Sequence, residues 1–246
     1  MKKMLSFFFS LIVFPAFAFA ARPLSTNDSG TVGKGGVELE YGVEYVNGFD
    51  NEVGMGLAVT AGLFDNLDLA VEVPYAFIDA KQGSDSDGLL DISLSAKFNF
   101  IKDNEIFPDS SLSFSYKTDS ANDDRGLGTG KPEYSLNGIF SKPLEPFAFH
   151  LDLGYTFKED FEDEDNEDVF TYGLAVEYEL NERINLVAEV SGDSVLKRKF
   201  HDNSCSALFG FNYSLNDNIT LDFGAGTEIS RADPDFKVTS GITIGL

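Results

Sequence analysis

The strand-forming pattern is clearest in residues 147–158, which read FAFHLDLGYTFK. Every second residue there is aromatic or leucine, whereas the residues between them are polar or small. Side chains on a β-strand point alternately to its two faces, so this stretch predicts one apolar face and one polar face. Residues 169–180 and 219–226 repeat the pattern. No helical periodicity competes with it over a comparable length.

Twelve runs of this kind follow one another along the chain. They cover residues 36–46, 52–64, 67–77, 89–101, 110–118, 132–142, 147–158, 169–180, 184–192, 204–215, 219–229 and 237–246. A tilted strand needs about 9–11 residues to cross a bilayer, and most of these runs are that long. Tight turns alternate with longer polar loops between them, as in outer-membrane barrels. The predicted fold is all-β: an antiparallel up-and-down transmembrane β-barrel of about 12 strands over residues 36–246, with both termini periplasmic.

A soluble β-sandwich or a water-soluble barrel is the competing fold. In a sandwich, small residues on the polar faces of the strands have no special role. Here those faces are rich in Gly and Ala, at Gly54, Gly56, Ala58, Gly62, Gly173, Ala175, Gly210, Gly224, Gly226, Gly241 and Gly245. Small residues suit a crowded barrel interior, and together with the strand lengths they favour the membrane barrel.

The first twenty residues have the layout of a secretory signal. Lys2 and Lys3 precede an apolar run over residues 5–14, and Ala18 and Ala20 are small residues suited to signal peptidase. The apolar run is too short to span a bilayer as a helix, although an uncleaved membrane anchor is the alternative. We predict a cleaved signal peptide at residues 1–20 and a periplasmic or lumen-inserted segment at residues 21–35.

The composition narrows the classes of partner. A net charge of -23 argues against nucleic-acid binding, which needs a basic surface. The chain has 24 Phe and 9 Tyr, far too many for a disordered acidic chain. The single Cys205 cannot form an internal disulfide. The expected location is the bacterial outer membrane. The expected partners are its lipid and lipopolysaccharide, the barrel assembly machinery and a small-molecule solute; no cofactor is expected.

The polar faces of the runs supply the candidate lumen-lining residues, and acids predominate among them. The acids are Glu38, Glu40, Glu44, Glu52, Glu72, Asp91, Asp152, Glu177, Glu179, Glu189, Asp222 and Glu228, and the basic residues are Lys97, Lys117, His150, Lys158 and Lys237. A ring of acids in a pore attracts cations. The alternative is a salt-bridged plug without conduction. Because burying many unpaired charges is costly, we expect a wet interior, constricted by residues 22–36, with Arg22 or Lys34 supplying positive charge.

The loop at residues 159–168 is the densest acidic run of the chain. Its carboxylates, among them Glu162, Asp163, Glu164 and Asp165, are hard oxygen ligands that could collect divalent cations weakly at the cell surface. The run lacks the ordered spacing and the Gly of a dedicated calcium loop. A solvated loop is therefore the favoured interpretation, and no dedicated metal site is predicted.

Catalysis has little support in the sequence. The chain contains two histidines, His150 and His201, and alternation places His150 on the same face as Asp152. No local motif supplies a nucleophilic serine to that pair. The Gly-rich stretch at residues 126–130 lacks the Lys of a phosphate-binding loop. We therefore predict that the chain is not an enzyme.

Several segments resemble the outer-membrane transporter family known as "MetA-pathway of phenol degradation". The resemblance rests on residues 22–28 (RPLSTND), 33–35, 38–40, 62–67 (GLFDNL), 71–75 (VEVPY) and 126–130 (GLGTG), with Tyr134, Ser141, Lys142 and the closing Pro234, Asp235 and Phe236. What it implies is a transporter of small molecules, including aromatic ones. It supplies no catalytic residues.

Three functional hypotheses follow from the sequence. The leading one is a passive outer-membrane channel or transporter for small molecules, including aromatic or hydrophobic ones, with the lumen acids favouring cationic or neutral solutes. The second is a non-conducting barrel that serves as a structural or surface-interaction protein through its acidic loops. The third, less favoured, is a barrel hydrolase.

Overall fold

The structure is a computed structural model, and it describes five ranges of the chain. These are residues 22–81, 83–158, 168–195, 203–230 and 235–246. The predicted signal peptide at residues 1–20, the acidic residues 159–167 and His201 lie outside these ranges.

Strands account for most of the described residues. They are β1 (Val37–Asn47), β2 (Asn51–Phe64), β3 (Leu67–Asp79), β4 (Ser86–Leu89), β5 (Ser93–Ile101), β6 (Asp109–Lys117), β7 (Glu133–Leu144), β8 (Phe147–Lys158), β9 (Val169–Asn181), β10 (Ile184–Val195), β11 (Ser204–Asn216), β12 (Ile219–Glu228) and β13 (Phe236–Gly245). A single 3-10 turn, Asp123–Arg125, lies before β7. Within the described ranges, no helix is long and apolar enough to cross a membrane.

The strands close into one antiparallel barrel. Neighbouring strands pair in chain order, and β13 pairs with β1 from Gly245 opposite Glu38 to Phe236 opposite Asn47. Among the described residues, each strand pairs on both sides except β4, which pairs with β3 alone. The predicted all-β, up-and-down barrel is confirmed, and the outer bounds of the strands lie within three residues of those predicted.

The two ends of the barrel differ. The turn end carries the short connections 65–66, 102–108, 145–146, 182–183 and 217–218. The start of β1 and the end of β13 meet at this same end, where Leu246 N donates to Val37 O over 2.8 Å. The loop end carries the other connections. Which end faces the periplasm stays a prediction.

One predicted strand is interrupted. Residues 89–101 were expected to form a continuous strand, but β4 and β5 pair separately with β3, so the thirteen strands occupy twelve positions around the barrel. At the break, Leu90 N donates to Pro74 O over 3.0 Å. Leu90 and its neighbour Asp91 are both buried, which is incompatible with strict alternation. The break turns two consecutive side chains to the interior.

The alternation of side chains separates an apolar exterior from a polar interior. On β8, Phe149, Leu151 and Leu153 are about two-fifths exposed, whereas His150 and Asp152 between them are buried. The same contrast recurs on other strands of the barrel. Soluble proteins rarely expose apolar patches of this extent, and an apolar outer band is typical of membrane barrels.

Candidate functional site

A segment that precedes β1 lies inside the barrel. We call residues 22–36 the strap. Its hydrogen-bond partners come in turn from β12 and β13, β10, β8, β7, β6, β5, β3 and β2. The strap therefore follows the inner wall around nearly the whole circumference before the chain enters β1. The lumen is one of the two locations that the sequence left open for this segment.

Arg22 fixes the beginning of the strap to the last two strands. Its Nε donates to Asp222 Oδ2 over 3.3 Å, and its Nη2 donates to Thr239 Oγ1 over 2.7 Å. Asp222 is buried, so the guanidinium supplies the counter-charge that a buried carboxylate needs. Lys34, the other predicted source of positive charge, is exposed near the turn end. Of the two basic residues of the strap, Arg22 is therefore the one that brings positive charge to the lumen.

Carboxylates of the barrel wall accept hydrogen bonds from the middle of the strap. Glu189 Oε2 accepts from the backbone N of Ser25 over 2.8 Å and of Thr26 over 2.5 Å. Asp152 Oδ2 accepts from Asn27 Nδ2 over 2.5 Å. Both carboxylates were predicted to line the lumen, and in the structure they satisfy donors of the strap. Such charge-assisted bonds are stronger than neutral ones.

The end of the strap is held mainly by polar groups near the turn end. Ser29 N donates to Ser141 Oγ over 2.9 Å, and Ser29 O accepts from Ser111 Oγ over 2.6 Å. Val32 N then donates to Asp68 Oδ2 over 2.9 Å, and Gly35 N to Gly62 O over 2.8 Å. These bonds satisfy backbone groups of the strap that would otherwise be buried without partners.

Inner-wall glycines mark the path of the strap. A Cβ atom at Gly62 would overlap the backbone of Gly33, and one at Gly173 would overlap the side chain of Thr26. Arg22 lies in the same way against Gly42 and Gly241, and Pro23 against Gly210 and Gly224. These six glycines of the inner face therefore make room for the strap.

Acids predominate on the inner faces of β1 to β3. This acidic wall comprises Glu38, Glu40, Glu44, Glu52 and Glu72. Within the described residues, an ion pair is formed by Glu44 alone among these five, with Lys237 Nζ at 3.9 Å. Four of the five carboxylates of the wall thus lack an ion pair with a described residue.

The opposite wall carries a compensated network near the loop end. Lys117 Nζ lies 3.0 Å from Glu133 Oε1 and 3.8 Å from Asp91 Oδ2. Lys158 Nζ lies 3.8 Å from the same Glu133 oxygen. Asp91 and Glu133 therefore have basic partners, which most carboxylates of the acidic wall lack among the described residues.

The remaining predicted lumen residues have diverse surroundings. Lys97 Nζ donates to Asp28 O of the strap over 3.3 Å. Glu228 Oε1 accepts from Cys205 N over 2.6 Å near the loop end. Glu179 is exposed at the turn end of β9, so it lies at the mouth of the barrel.

Three acids that belong on the inner face by register are absent from the predicted lumen-lining set: Asp68, Glu133 and Asp193. Asp68 is 2% exposed. Glu133 lies opposite Lys117 and Asp193 lies opposite Thr171, both inner positions. Strict alternation from Leu67 and Leu69 was the signal that could have identified Asp68.

A serine does lie beside His150, although no sequence motif predicted one. Ser141 Oγ is 2.9 Å from His150 Nδ1, and His150 Nε2 is 3.6 Å from Glu177 Oε1. Ser141 and His150 face each other across the β7–β8 pair. The same Ser141 hydroxyl also accepts the strap bond from Ser29 N, so this group anchors the strap.

A loop folds against the inner wall beside the break between β4 and β5. Leu127 is buried, and it packs with Leu90 and Ala76 against the partly buried Ile78 and Ala121. Ala121 N donates to Asp91 Oδ1 over 2.9 Å. This cluster forms an apolar patch inside the loop end of the barrel.

The described residues hold no group of three or more His, Cys, Asp or Glu side chains that could bind a metal ion. The weak cation binding considered for Glu162, Asp163, Glu164 and Asp165 falls outside the described ranges. That interpretation therefore stays a prediction.

Comparison with protein families gives one match over almost the whole chain. The model of the family described as "MetA-pathway of phenol degradation" matches residues 20–245. No curated protein matches the chain in a sequence search.

Solved structures with the same fold are outer-membrane barrels. The COG4313 outer membrane channel from Pseudomonas putida F1 has a TM-score of 0.75 at 14% identity, over 89% of this chain and 98% of that one. The KdgM porin has a TM-score of 0.59 at 15% identity, over 84% and 98%. The CymD monoaromatic hydrocarbon channel has a TM-score of 0.51 at 9% identity, over 86% and 88%. The fold is that of a bacterial outer-membrane β-barrel.

Proposed function

The chain belongs to this family, and from that premise we propose that it is a passive outer-membrane channel for small molecules. The similar structures are described as channels and a porin, and one of them as a channel for monoaromatic hydrocarbons. A closed barrel with a polar interior is the architecture that such a function needs. Small aromatic solutes are therefore included among the proposed substrates.

We propose that the acidic wall determines the charge selectivity of the channel. Its carboxylates, on one side of the lumen, are mostly without ion pairs among the described residues, whereas Asp91 and Glu133 pair with Lys117 and Lys158. Uncompensated acids in a pore raise the local concentration of cations and repel anions. The proposed solutes are accordingly cationic or neutral.

The strap is the proposed constriction of the channel. It follows the inner wall and places Arg22 beside Asp222, so a solute must pass the space that the strap leaves. Its many bonds to the wall favour a fixed element that narrows the lumen.

Electrical recording of the refolded protein in planar bilayers tests this function. We expect single-channel steps and, in a potassium chloride gradient, a reversal potential that shows preference for potassium. Replacing Glu44 and Glu52 by Gln removes negative charge from the acidic wall, so the permeability ratio should fall toward one. Glu182→Gln, at an exposed turn position, is the matched control and should leave the ratio unchanged. Absence of steps, together with absence of solute uptake into liposomes, would instead support the non-conducting barrel.

We propose no catalytic role for Ser141, His150 and Glu177. A serine nucleophile needs room for the reacting carbonyl and donors for the oxyanion. Here the Ser141 hydroxyl accepts a bond from Ser29 N, and the strap covers it. The arrangement serves as an attachment point for the strap.

A further inference from the structure

One glycine of the inner wall has open space above it. A Cβ atom at Gly56 would meet a single neighbour, Glu72 Oε1 at 3.7 Å. At Gly42 of β1, which pairs with Gly56, the same atom would overlap Arg22, and at Gly62 of β2 it would overlap Gly33. The inner face of β2 around Gly56 is therefore a recess that the strap leaves uncovered.

Two buried carboxylates flank this recess. Ala58 of β2 pairs with Glu40 of β1 on one side and with Glu72 of β3 on the other, so strand spacing separates their backbones by about 10 Å. Glu40 and Glu72 are 5% and 4% exposed. In the described part of the chain, Glu72 Oε1 has no hydrogen-bond partner, and it points over Gly56. Neither carboxylate forms an ion pair with a described residue.

The side of the recess toward the loop end is apolar. Pro74 of β3 pairs with Gly56, and Ala76 pairs with Gly54. Ala76 is fully buried and packs with Leu90 and Leu127. The recess thus joins a pair of carboxylates to an apolar patch at adjacent positions of the barrel wall.

We propose that this recess is a binding subsite for a primary ammonium group carried on a small apolar body. Among the described residues, the only basic side chain that acts on both carboxylates is Arg22, which is already paired with Asp222. Burying two carboxylates without ion pairs of their own is costly, and an ammonium is a compact cation with three donors that can bond to both. The apolar body would contact Pro74 and Ala76, as in ligand pockets that combine apolar walls with a few polar groups. No set of three metal-binding side chains occurs in the described ranges, which favours an organic cation over a metal ion.

The subsite deepens the proposed channel function and rests on it only for the route by which a solute reaches the recess. Binding is measured without conduction, by calorimetric titration of the refolded protein with benzylammonium. We expect saturable binding, weakened about tenfold or more when Glu40 and Glu72 are both replaced by Gln, because charge-assisted hydrogen bonds are lost. Gly56→Leu should weaken binding similarly by filling the recess while keeping both charges. Far-UV circular dichroism of each variant checks that the barrel is folded.

Matched probes and variants distinguish an ammonium site from other modes of binding. Glu177→Gln, at a lumen acid beside His150, should leave benzylammonium binding unchanged. Benzyl alcohol has the same apolar body without the charge and should not bind. Equal binding of benzyl alcohol, or unchanged affinity in the Glu40 and Glu72 double variant, would overturn the proposal. Displacement by sodium at equal concentration would overturn the ammonium assignment in favour of a simple cation site. Binding without any channel conductance would refute the channel function alone.

Discussion

At the residue scale, Arg22 connects the strap to the part of the barrel where the first and last strands meet. Besides its bonds to Asp222 and Thr239, its Nη2 donates to Ser240 O over 3.1 Å. The side chain also lies against Gly42 of β1. One guanidinium therefore compensates a buried acid and positions the beginning of the strap.

Replacing Arg22 by Ala should loosen the beginning of the strap. The buried Asp222 carboxylate would lose its ion pair, at a cost on the order of 1–3 kcal/mol, and the lumen would lose positive charge. We expect a larger single-channel conductance, a stronger cation preference and a lower thermal unfolding temperature. Lys34→Ala, at the exposed position near the turn end, is the control and should change none of these. Identical conductance of wild type and Arg22→Ala would show that Arg22 does not hold the constriction.

The sequence predicts which residues face the barrel interior where polar and apolar residues alternate strictly. It predicts this less well where the alternation is broken. On β8, alternation correctly separates His150 and Asp152 from the exposed leucines. On β7, the inner face holds the fully buried Ile139 together with Asn137 and Glu133, so polarity no longer marks the interior. Ser141 gains its role from Ser29, which is 112 residues away in the chain. Such pairing is not visible in a local pattern.

At the element scale, the strands could be predicted from the sequence, but the strand break and the path of the strap could not. Strand positions follow from local alternation, which the printed sequence shows directly. The break between β4 and β5 depends on contacts across strands, including the bond from Leu90 N to Pro74 O. The Gly-rich inner faces indicated a crowded lumen, but they did not show that the strap lies against them. The route of the strap depends on bonds to residues distributed over the whole barrel.

A disulfide between the strap and the wall tests whether the strap stays in place during conduction. Thr26 and Gly173 are suited to cysteine replacement, because a Cβ atom at Gly173 would lie 3.1 Å from Thr26 Cβ, slightly closer than the usual separation in disulfides. The test uses a Cys205→Ser background, which removes the native thiol. We expect equal single-channel conductance in the oxidised and the reduced protein. Conductance that rises on reduction would mean that the strap must leave the wall for solutes to pass.

At the scale of the whole molecule, the barrel combines an apolar outer surface with a charged interior in a chain of net charge -23. Leu57, Leu69 and Phe114, for example, are each more than two-fifths exposed on the exterior. In a membrane barrel, outward-facing apolar side chains contact lipid, which explains why they are exposed on this surface. The strand positions, the closed topology and the apolar exterior all agree with the sequence pattern, whereas the orientation in the membrane stays a prediction.

The predicted orientation can be tested with epitope tags at the two ends of the barrel. A tag between Phe49 and Asp50 lies at the loop end, and a tag between Asp217 and Asn218 lies at the turn end. Longer loops of outer-membrane barrels face outward and short turns face the periplasm. Antibody should therefore label intact cells at the first tag and not at the second, and permeabilised cells at both. The reverse labelling of intact cells would place the termini outside.

The position of Arg22 also constrains the order of events during biogenesis of the barrel. Its partners on β12 and β13 come together with Gly42 of β1 once the final strand has docked on the first. The other end of the strap bonds to β2 and β3, through Gly35 with Gly62 and Val32 with Asp68, so these bonds can form before the barrel closes. The strap would thus fold on the inner face of the growing sheet and be enclosed when the barrel closes. It would not have to thread through a completed pore. The bonds of Arg22 to β12 and β13 would form last, when β13 pairs with β1.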